Sequence, residues 1–421
     1  MGTTESWEEK GKEKVEDKVS IWCIISMASI PLVMTLGNSM LIPVLPILED
    51  KVGISSFQSS MIITSYSVAA VFLIPVAGYL SDRFGRKMVI LPALILALIG
   101  GLIAGFASWK MEDPFTWIII GRILQGIGAS GAMPIVLPLV GDLYKDDDEK
   151  TSSCLGIIET SNTFGKVLSP ILGAAFAAIL WFLPFFSISA FSLISIGLIF
   201  FFVKVPKEKD DPIKFKEFLA NTKETFKTEG KWLFTVFLNG ALVMLILFST
   251  LFFLSENLEK VHDLKGIKKG FVLAIPLLFL CIASFITGRK IKGNLSTMKK
   301  MMIACLIALS ISVVFVGFVS DKLILMLVVT SIVGIASGAL LPVLDAIITE
   351  NIDKEERGTV SSFYSSARFI GVAAGPPIMS LLMKDYLNAS YITAGVLGLI
   401  LLFIVFKFIE VDEIKHRNKH A

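Results

Sequence analysis

The sequence has little of what enzymes and secreted proteins are usually built from. Of its 421 residues, 3 are histidine and 4 are cysteine, and Asp, Glu, Lys and Arg together make up 18%. Soluble proteins carry roughly 25% charged residues, so this fraction argues against a soluble domain. The cysteines show neither metal-ligand spacing nor a paired framework, and we interpret them as packing residues. A net charge of +3 is too small to indicate a nucleic-acid partner.

Catalytic motifs are missing as well. The sequence has no G-x-x-x-x-G-K-[ST] run, so ATP does not drive this chain directly, and it has neither H-E-x-x-H nor G-x-S-x-G. A receptor or a membrane-embedded enzyme would need a large soluble domain or a catalytic constellation, and the sequence offers neither. We therefore expect a protein that is not an enzyme, needs no cofactor and binds no metal.

Long apolar runs dominate instead, and hydrophobic residues make up 54% of the chain. A helix of about 20 residues crosses a hydrocarbon core ~30 Å thick. We count twelve such runs, so the predicted fold is an all-α membrane protein with twelve transmembrane helices in a lipid bilayer. Their approximate limits, numbered as spans 1 to 12, are 20–48, 58–81, 87–108, 114–143, 152–180, 182–204, 232–256, 268–288, 298–319, 322–349, 359–384 and 388–408.

Basic residues predict the orientation. With both termini on one side, that side holds 28 Lys and Arg and the other holds eight. The richer side is cytoplasmic by the positive-inside rule, so we expect a multi-pass protein of a bacterial cytoplasmic membrane with cytoplasmic termini. The longest connection divides the chain and contains an amphipathic stretch near 215–226. The predicted domains are a tail (1–19), a six-helix bundle (20–204), a cytoplasmic linker (205–231), a second six-helix bundle (232–408) and a tail (409–421).

The two bundles repeat each other. GIGASGAMP at 126–134 in span 4 matches GIASGALLP at 334–342 in span 10, and Asp142 and Glu350 follow at the same offset of 208. GKVLSP at 165–170 in span 5 matches GVAAGP at 371–376 in span 11. Parallel six-span repeats build one large class of secondary transporters, whose substrate sites lie between the halves near the midplane. We expect pseudo-symmetric bundles.

Three motifs resemble those of the major facilitator superfamily. The loop after span 2 reads GYLSDRFGRK at 78–87 and matches every specified position of the superfamily's G-x-L-x-D-R-x-G-R-K loop. Span 4 carries GRILQGIGA at 121–129, which is similar to R-x-x-Q-G-x-G-A. Span 5 carries GKVLSPILGA at 165–174, which is similar to the antiporter motif G-x-x-x-G-P-x-x-G-G with two changes to small residues. Within that superfamily the third motif resembles the one found in the drug:proton antiporter branch.

The resemblance implies roles for particular residues. Gly78, Asp82, Arg83, Gly85, Arg86 and Lys87 form a gating loop. Arg122 of span 4 is tied to proton coupling; its alternative role is to fix helix packing through backbone carbonyls. Close helix packing is expected at Gly165, Ser169, Pro170, Gly173, Gly371, Gly375 and Pro376. The partners implied are protons and a small-molecule substrate, and we expect a monomer.

Charged and polar side chains inside the spans are functional candidates, because burying them in a membrane is costly. Asp345 in span 10 is the first candidate for the proton or substrate site, with Arg368 of span 11 as its counter-charge. Glu159 shares a helix face with Asn162 and Lys166. It is either a second proton carrier or a fixed partner of Lys166.

Four further polar residues complete the candidates. Asn38 in span 1 is expected to hydrogen-bond either a ligand or a neighbouring helix. Asp142, Glu350 and Arg357 supply charge at the cytoplasmic ends.

Two functions fit these features. The first is a proton-coupled exporter of amphiphilic small molecules or drugs that works by alternating access. The second is a transporter with a defined substrate, such as a glycolipid flippase or an exporter of a sugar or metabolite. A sugar site should show several Asn, Gln and Trp side chains in spans 1, 4, 7 and 10, and few are present, which disfavours a sugar.

Overall fold

The computed structural model describes residues 21–144, 148–204, 215–291, 295–352 and 354–409. The predicted N-terminal tail (1–19), residues 205–214 of the predicted linker and residues 410–421 of the predicted C-terminal tail lie outside them. Eleven of the helices are long and apolar enough to cross a membrane. Spans 2, 3 and 5 to 12 are single helices. Their bounds are Ser56–Phe84, Arg86–Lys110, Asp148–Ile179, Leu183–Phe202, Gly230–Lys260, Gly266–Lys290, Leu295–Phe318, Leu323–Asn351, Lys354–Leu382 and Leu387–Phe408.

Spans 1 and 4 are interrupted near proline residues. Span 1 consists of the helix Ile21–Ser39, a 3₁₀ turn at Ile42–Val44 and a short helix Leu45–Val52. Span 4 consists of Phe115–Ala132 and Val136–Leu143, separated by a turn that contains Pro134. Proline lacks the N–H that an uninterrupted helix needs and clashes with the carbonyl one turn before it. The two breaks leave backbone carbonyls inside the first half without helical partners.

The helix Lys354–Leu382 is the predicted span that is not among the eleven apolar helices. It contains Arg357 and Arg368 and a run of serines, which lower its apolar content below that of its neighbours. It nevertheless packs lengthwise against spans 2 and 7. The prediction of twelve helices therefore holds for the fold.

The packing repeats with a period of six spans. In the first half span 1 packs on spans 5 and 6, span 2 on span 4, and span 3 on spans 4 and 6. The second half has the same pairs six spans later: 7 with 11 and 12, 8 with 10, and 9 with 10 and 12. Two seams join the halves, span 2 with span 11 and span 5 with span 8, and they are related by the same shift. The expected pseudo-symmetry of two six-helix bundles is present.

We name the two ends of the bundle after the connections between spans that lie there. The linker end carries Gly85 and the connection from Lys204 to Gly230, and the far end carries the short turns at Gly53 and Trp181. The helix Phe215–Thr228 covers the amphipathic stretch predicted in the linker. Its Phe226 ring lies 5.4 Å from Phe363 of span 11 and 5.8 Å from Phe237 of span 7, between ring centroids. The linker helix is thus docked on the second half.

Candidate functional site

A cavity of about 760 Å³ lies between the two halves. Its wall runs from Asn38 and Tyr66 in the middle of the bundle to Asp82 and Arg357 at the linker end. The predicted residues Asp142, Glu159, Asn162, Lys166, Asp345 and Arg368 also line it. One chamber thus collects most of the charged and polar candidates, although they are spread over spans 1, 2, 4, 5, 10 and 11.

Asp345 and Arg368 face each other across spans 10 and 11. The Arg368 Nη1 donates to Asp345 Oδ1 at 3.5 Å, and the guanidinium lies 5.6 Å from the Tyr364 ring centroid. Both side chains are partly buried, with 40% of the Asp345 side chain exposed. A carboxylate here is therefore neutralised by a neighbouring cation and still open to the cavity.

Glu159 makes different contacts from those expected of a fixed ion pair. Its carboxylate accepts from Asn162 Nδ2 at 3.3 Å, and Asn162 Oδ1 accepts from the Thr35 hydroxyl of span 1 at 2.6 Å. Glu159 is exposed to the cavity. Lys166 forms no hydrogen bond or ion pair with any residue that the structure describes, so the hypothesis of a closed Glu159–Lys166 pair is wrong for this conformation. Seven residues of helix separate the two by about 10 Å along the axis, which explains the gap.

Arg122 is fully buried behind the cavity wall. Its Nε donates to the Ile62 carbonyl at 2.8 Å, and Nη1 donates to the Gly37 carbonyl at 2.8 Å and to Gln125 Oε1 at 2.6 Å. The guanidinium also lies 4.5 Å from the Tyr66 ring centroid. Arg122 thus ties together spans 1, 2 and 4 beside the break in span 1, as in the packing alternative, and it contacts neither Asp345 nor Glu159.

The gating loop holds itself together within the first half. Arg86 forms an ion pair with Asp82, donates from Nε to Asp142 Oδ2 at 2.9 Å and from Nη1 to the Ser81 hydroxyl at 2.8 Å. Gly85 joins spans 2 and 3 with φ +93°, a conformation that residues with side chains rarely adopt. These contacts link the ends of spans 2, 3 and 4.

The other cations of the loop, Lys87 and Arg83, also donate hydrogen bonds within the first half. Lys87 Nζ donates to the carbonyls of Phe200 and Val203 at 3.0 and 2.7 Å, which satisfies the end of span 6. Arg83 donates to the Tyr79 hydroxyl at 3.3 Å. Gly78 lies against span 11, where a Cβ would come 3.1 Å from the Ser362 hydroxyl. Of the remaining end charges, Arg357 donates to the Ile352 carbonyl at 3.3 Å and Glu350 is exposed.

The antiporter-like motif packs span 5 against span 1. A Cβ on Gly165 would lie 3.3 Å from Thr35, and one on Gly173 would collide with the Met40 carbonyl. Ser169 donates to the Gly165 carbonyl at 2.7 Å, so its hydroxyl is satisfied within its own helix. The Pro170 carbonyl lies where a side chain on Gly270 of span 8 would have to be. The motif therefore builds one close helix contact and part of one seam.

The second half repeats this arrangement. A Cβ on Gly371 would collide with the Ala241 carbonyl of span 7, and one on Gly375 would lie 2.9 Å from the Leu245 carbonyl. The Ser249 hydroxyl donates to the Gly375 carbonyl at 3.1 Å, one residue before Pro376. Spans 1 and 5 and spans 7 and 11 are thus held at the short distance that only small residues allow.

Sequence reasoning missed a network of charges that closes the far end. Lys260 of span 7 pairs with Glu49 of span 1 at 3.0 Å and also with Glu256. Lys269 of span 8, which is 1% exposed, donates to the Pro43 carbonyl at 3.0 Å and pairs with Glu259 at 2.6 Å.

The network lay outside the candidates because its charges stand at the ends of apolar runs and resemble solvated loop residues. The four-residue spacing of Glu256 and Lys260 was the available signal. We call these five residues, Glu49, Glu256, Glu259, Lys260 and Lys269, the far-end network. Beside it the Ser255 hydroxyl donates to the Ile42 carbonyl at 2.9 Å, a further contact between the halves.

Comparisons with known proteins agree with this architecture. The chain matches the family described as Major Facilitator Superfamily over residues 27–299 and 270–421. It is 50% identical over 382 residues to the bacillibactin exporter of Bacillus subtilis (strain 168), which covers 91% of this chain and 95% of that protein. Multidrug resistance protein 2 of the same organism is 24% identical over 91% of this chain and 94% of its own.

Among solved structures, the human organic anion transporter MFSD10 (TETRAN) superposes with a TM-score of 0.72 at 19% identity. The superposition covers 91% of this chain and 98% of that one. At this identity the likeness concerns the fold alone.

Proposed function

The chain belongs to the major facilitator superfamily, and on that premise we propose that it is a proton-coupled secondary transporter that exports small molecules from a bacterial cytoplasm by alternating access. The observation that carries the proposal is the cavity between the halves, which reaches the linker end and stops below the far-end network. Transporters built from parallel repeats bind their substrates in this position.

The direction of transport rests on charge and on a motif. The linker end is cytoplasmic by its excess of Lys and Arg, so this conformation is open to the cytoplasm. The span 5 motif, GKVLSPILGA, favours export, because its resemblance is to antiporters. Its glycines bring span 5 against span 1 beside the cavity wall.

Proton coupling is assigned first to Asp345. An antiporter links proton and substrate through shared or coupled sites, so at least one carboxyl has to change its protonation during the cycle. Asp345 lies in the cavity wall next to Arg368, an arrangement in which a proton and the arginine compete for one carboxylate. Glu159 is the second candidate. Arg122 supports the cycle by holding Tyr66 and the interrupted middle of span 1.

Two kinds of cargo fit the cavity. Amphiphilic drugs fit its flexible apolar side chains, which include Met34, Met133, Met244 and Phe248. A defined metabolite, bacillibactin, is the second candidate, and the 50% identity to a bacillibactin exporter favours it. Asn38 and Asn162 are the only amide side chains in the described part of the wall, which is few for a sugar site.

Reconstitution in proteoliposomes tests the proposal. With a pH gradient imposed in either direction, bacillibactin or a lipophilic dye should move against the proton flux, and a protonophore should stop it without any dependence on ATP. Each charge moved through 100 mV contributes about 2.3 kcal/mol, which sustains a roughly fiftyfold concentration ratio. Transport that continues unchanged after the protonophore would contradict proton coupling. Failure of both cargoes to move would contradict the cargo assignment.

A further inference from the structure

Lys166 is a cation in the middle of a membrane-spanning helix. It sits on span 5 between two residues of the close contact with span 1, half-buried, and it lines the cavity. It forms neither a hydrogen bond nor an ion pair with the part of the chain that the structure describes. A lysine at this depth is costly unless something neutralises or hydrates it.

The neighbouring acids are engaged elsewhere. Asp345 pairs with Arg368 at 3.5 Å, and Glu159 is held by the Asn162 amide at 3.3 Å. The charges of Arg368, Glu159 and Asp345 all act on Lys166 from spans 5, 10 and 11, and Cys281 of span 8 also lies near. The two cations therefore face the same chamber, and among the described residues Lys166 is in direct contact with neither acid.

Uncharged polar groups line the same chamber: the Tyr364 hydroxyl can donate, and the Asn38 Oδ1 can only accept. Tyr364 of span 11 is 3% exposed, lines the cavity, and its hydroxyl has no hydrogen-bond partner among the described residues. Asn38, 7% exposed, likewise has an unpartnered Oδ1 in the same wall. A buried polar atom without a partner is costly, and a bound ligand is one of the ways in which proteins satisfy it.

We propose that Lys166 is the anchor of an anion subsite, with Arg368 and the Tyr364 hydroxyl at its edge, and that the cargo is an amphiphile with an acidic oxygen group. A carboxylate, a phosphate or an ionised phenol has the chemistry to accept from an ammonium and a hydroxyl together. Met244 and Phe248 of span 7, which line the same cavity, would receive the apolar body. The inference rests on the proposed function only in taking this cavity as the cargo site.

Equilibrium binding to purified full-length protein tests the subsite without any gradient. The probes are two aromatic compounds of equal size, salicylate and salicylamide, with binding measured by isothermal titration or by the shift in thermal stability. Wild type should prefer the carboxylate by about tenfold or more, in the range of one charge-assisted hydrogen bond. Lys166→Gln should lose that preference and keep its affinity for the amide, and Lys166→Arg should keep the preference.

A control variant distinguishes the effect of the Lys166 charge from the effect of removing any one positive charge. Lys268→Gln removes an exposed lysine at the far end of span 8 and should bind both probes as wild type does. Equal binding of the two probes by wild type would overturn the subsite, and so would a preference that survives in Lys166→Gln. Because wild type alone can give the first of these outcomes, the test stands even if a variant fails to fold. A failed transport assay with intact, Lys166-dependent anion binding would overturn the proposed function and leave the subsite standing.

Discussion

Lys260 Nζ lies 3.0 Å from Glu49 Oε2, and this ion pair joins span 7 of one half to span 1 of the other. Lys269 adds a second link to span 1 through the Pro43 carbonyl. At the linker end, by contrast, the described contacts of Arg86 stay within the first half. One described ion pair and one lysine–carbonyl hydrogen bond therefore join the halves at the far end, and opening that end requires both to break.

Weakening the far-end network should shift the protein towards the conformation open at the far end. Lys260→Gln removes two ion pairs at once, because Lys260 meets both Glu49 and Glu256. The reporter is a single cysteine at Ser39 in the cavity wall, with the four native cysteines replaced, labelled by a membrane-impermeant maleimide from the far side. We expect labelling to rise severalfold, since a partly buried pair between elements, here Lys260–Glu49, contributes about 1 kcal/mol or more.

The control for this experiment is Lys265→Gln at the same end. Lys265 pairs with Asp263 at 2.8 Å, but both side chains are mostly exposed and belong to one loop. Such a pair contributes little, so labelling should stay at the parent rate. A Lys260→Gln protein that labels no faster than this control would show that the network does not hold the far end shut.

Asp82→Asn should leave insertion intact and reduce turnover by about tenfold or more, because it removes the charge that pairs with Arg86 at the moving end of span 2. Arg86 would keep Asp142, so the local fold should survive. The measurement is the transport rate per folded protein in proteoliposomes. Asp113→Asn, an exposed loop residue at the far end, is the matched change and should transport normally. Equal transport rates in the Asp82→Asn and Asp113→Asn variants would contradict a gating role for Asp82.

Asp345→Asn should abolish the release of protons that substrate binding triggers, and Glu159→Gln should preserve it. Asp345 can exchange Arg368 for a proton, whereas Glu159 is held by a neutral amide. Release is measured with a pH indicator on weakly buffered, detergent-purified protein. Release that persists in Asp345→Asn and vanishes in Glu159→Gln would reverse the assignment. If it persists in both, the carrier is neither, and Asp142 and Glu350 at the linker end become the next candidates.

Gly173→Ala should lower the thermal stability, because the added methyl meets the Met40 backbone carbonyl, which has little room to move. Overpacking of this kind costs about 1–3 kcal/mol. Gly197→Ala in span 6 is the control: nothing lies within 4 Å of its new Cβ, and alanine favours the helix. The midpoint of heat-induced aggregation in detergent compares the two. Equal midpoints would mean that span 5 can move away from span 1 without loss.

Much of this fold was accessible from the sequence, because hydropathy fixes the spans and the repeated motifs of spans 4, 5, 10 and 11 relate the halves. The meeting of Asp345 with Arg368 was likewise predictable, since charges buried in a membrane seek partners. The partners of Arg122 were not, because they include two backbone carbonyls that no side-chain pattern reveals.

The far-end network could not be predicted from the sequence, for another reason. Glu49 and Lys260 are 211 residues apart in the chain, and their contact belongs to the one conformation that the structure describes. A sequence pattern constrains which residues face inwards, but it does not select between conformations that share the same spans. The seven-residue spacing of Glu159 and Lys166 suggested an ion pair that is not formed in this conformation. A shared helix face does not bring two side chains into contact across two turns.

The position of the far-end network has a consequence for how the membrane potential is distributed across the protein. A cavity of about 760 Å³ with a charged wall admits water and counter-ions as far as Asn38. The membrane potential then falls mostly across the layer between Asn38 and Glu49, which spans about 15 Å of chain rise, instead of across the full ~30 Å hydrocarbon core. The electric field in that layer is roughly doubled. Lys269, buried beside the Pro43 carbonyl, stands in that layer, so we expect the membrane potential itself to bias which end of the protein is open.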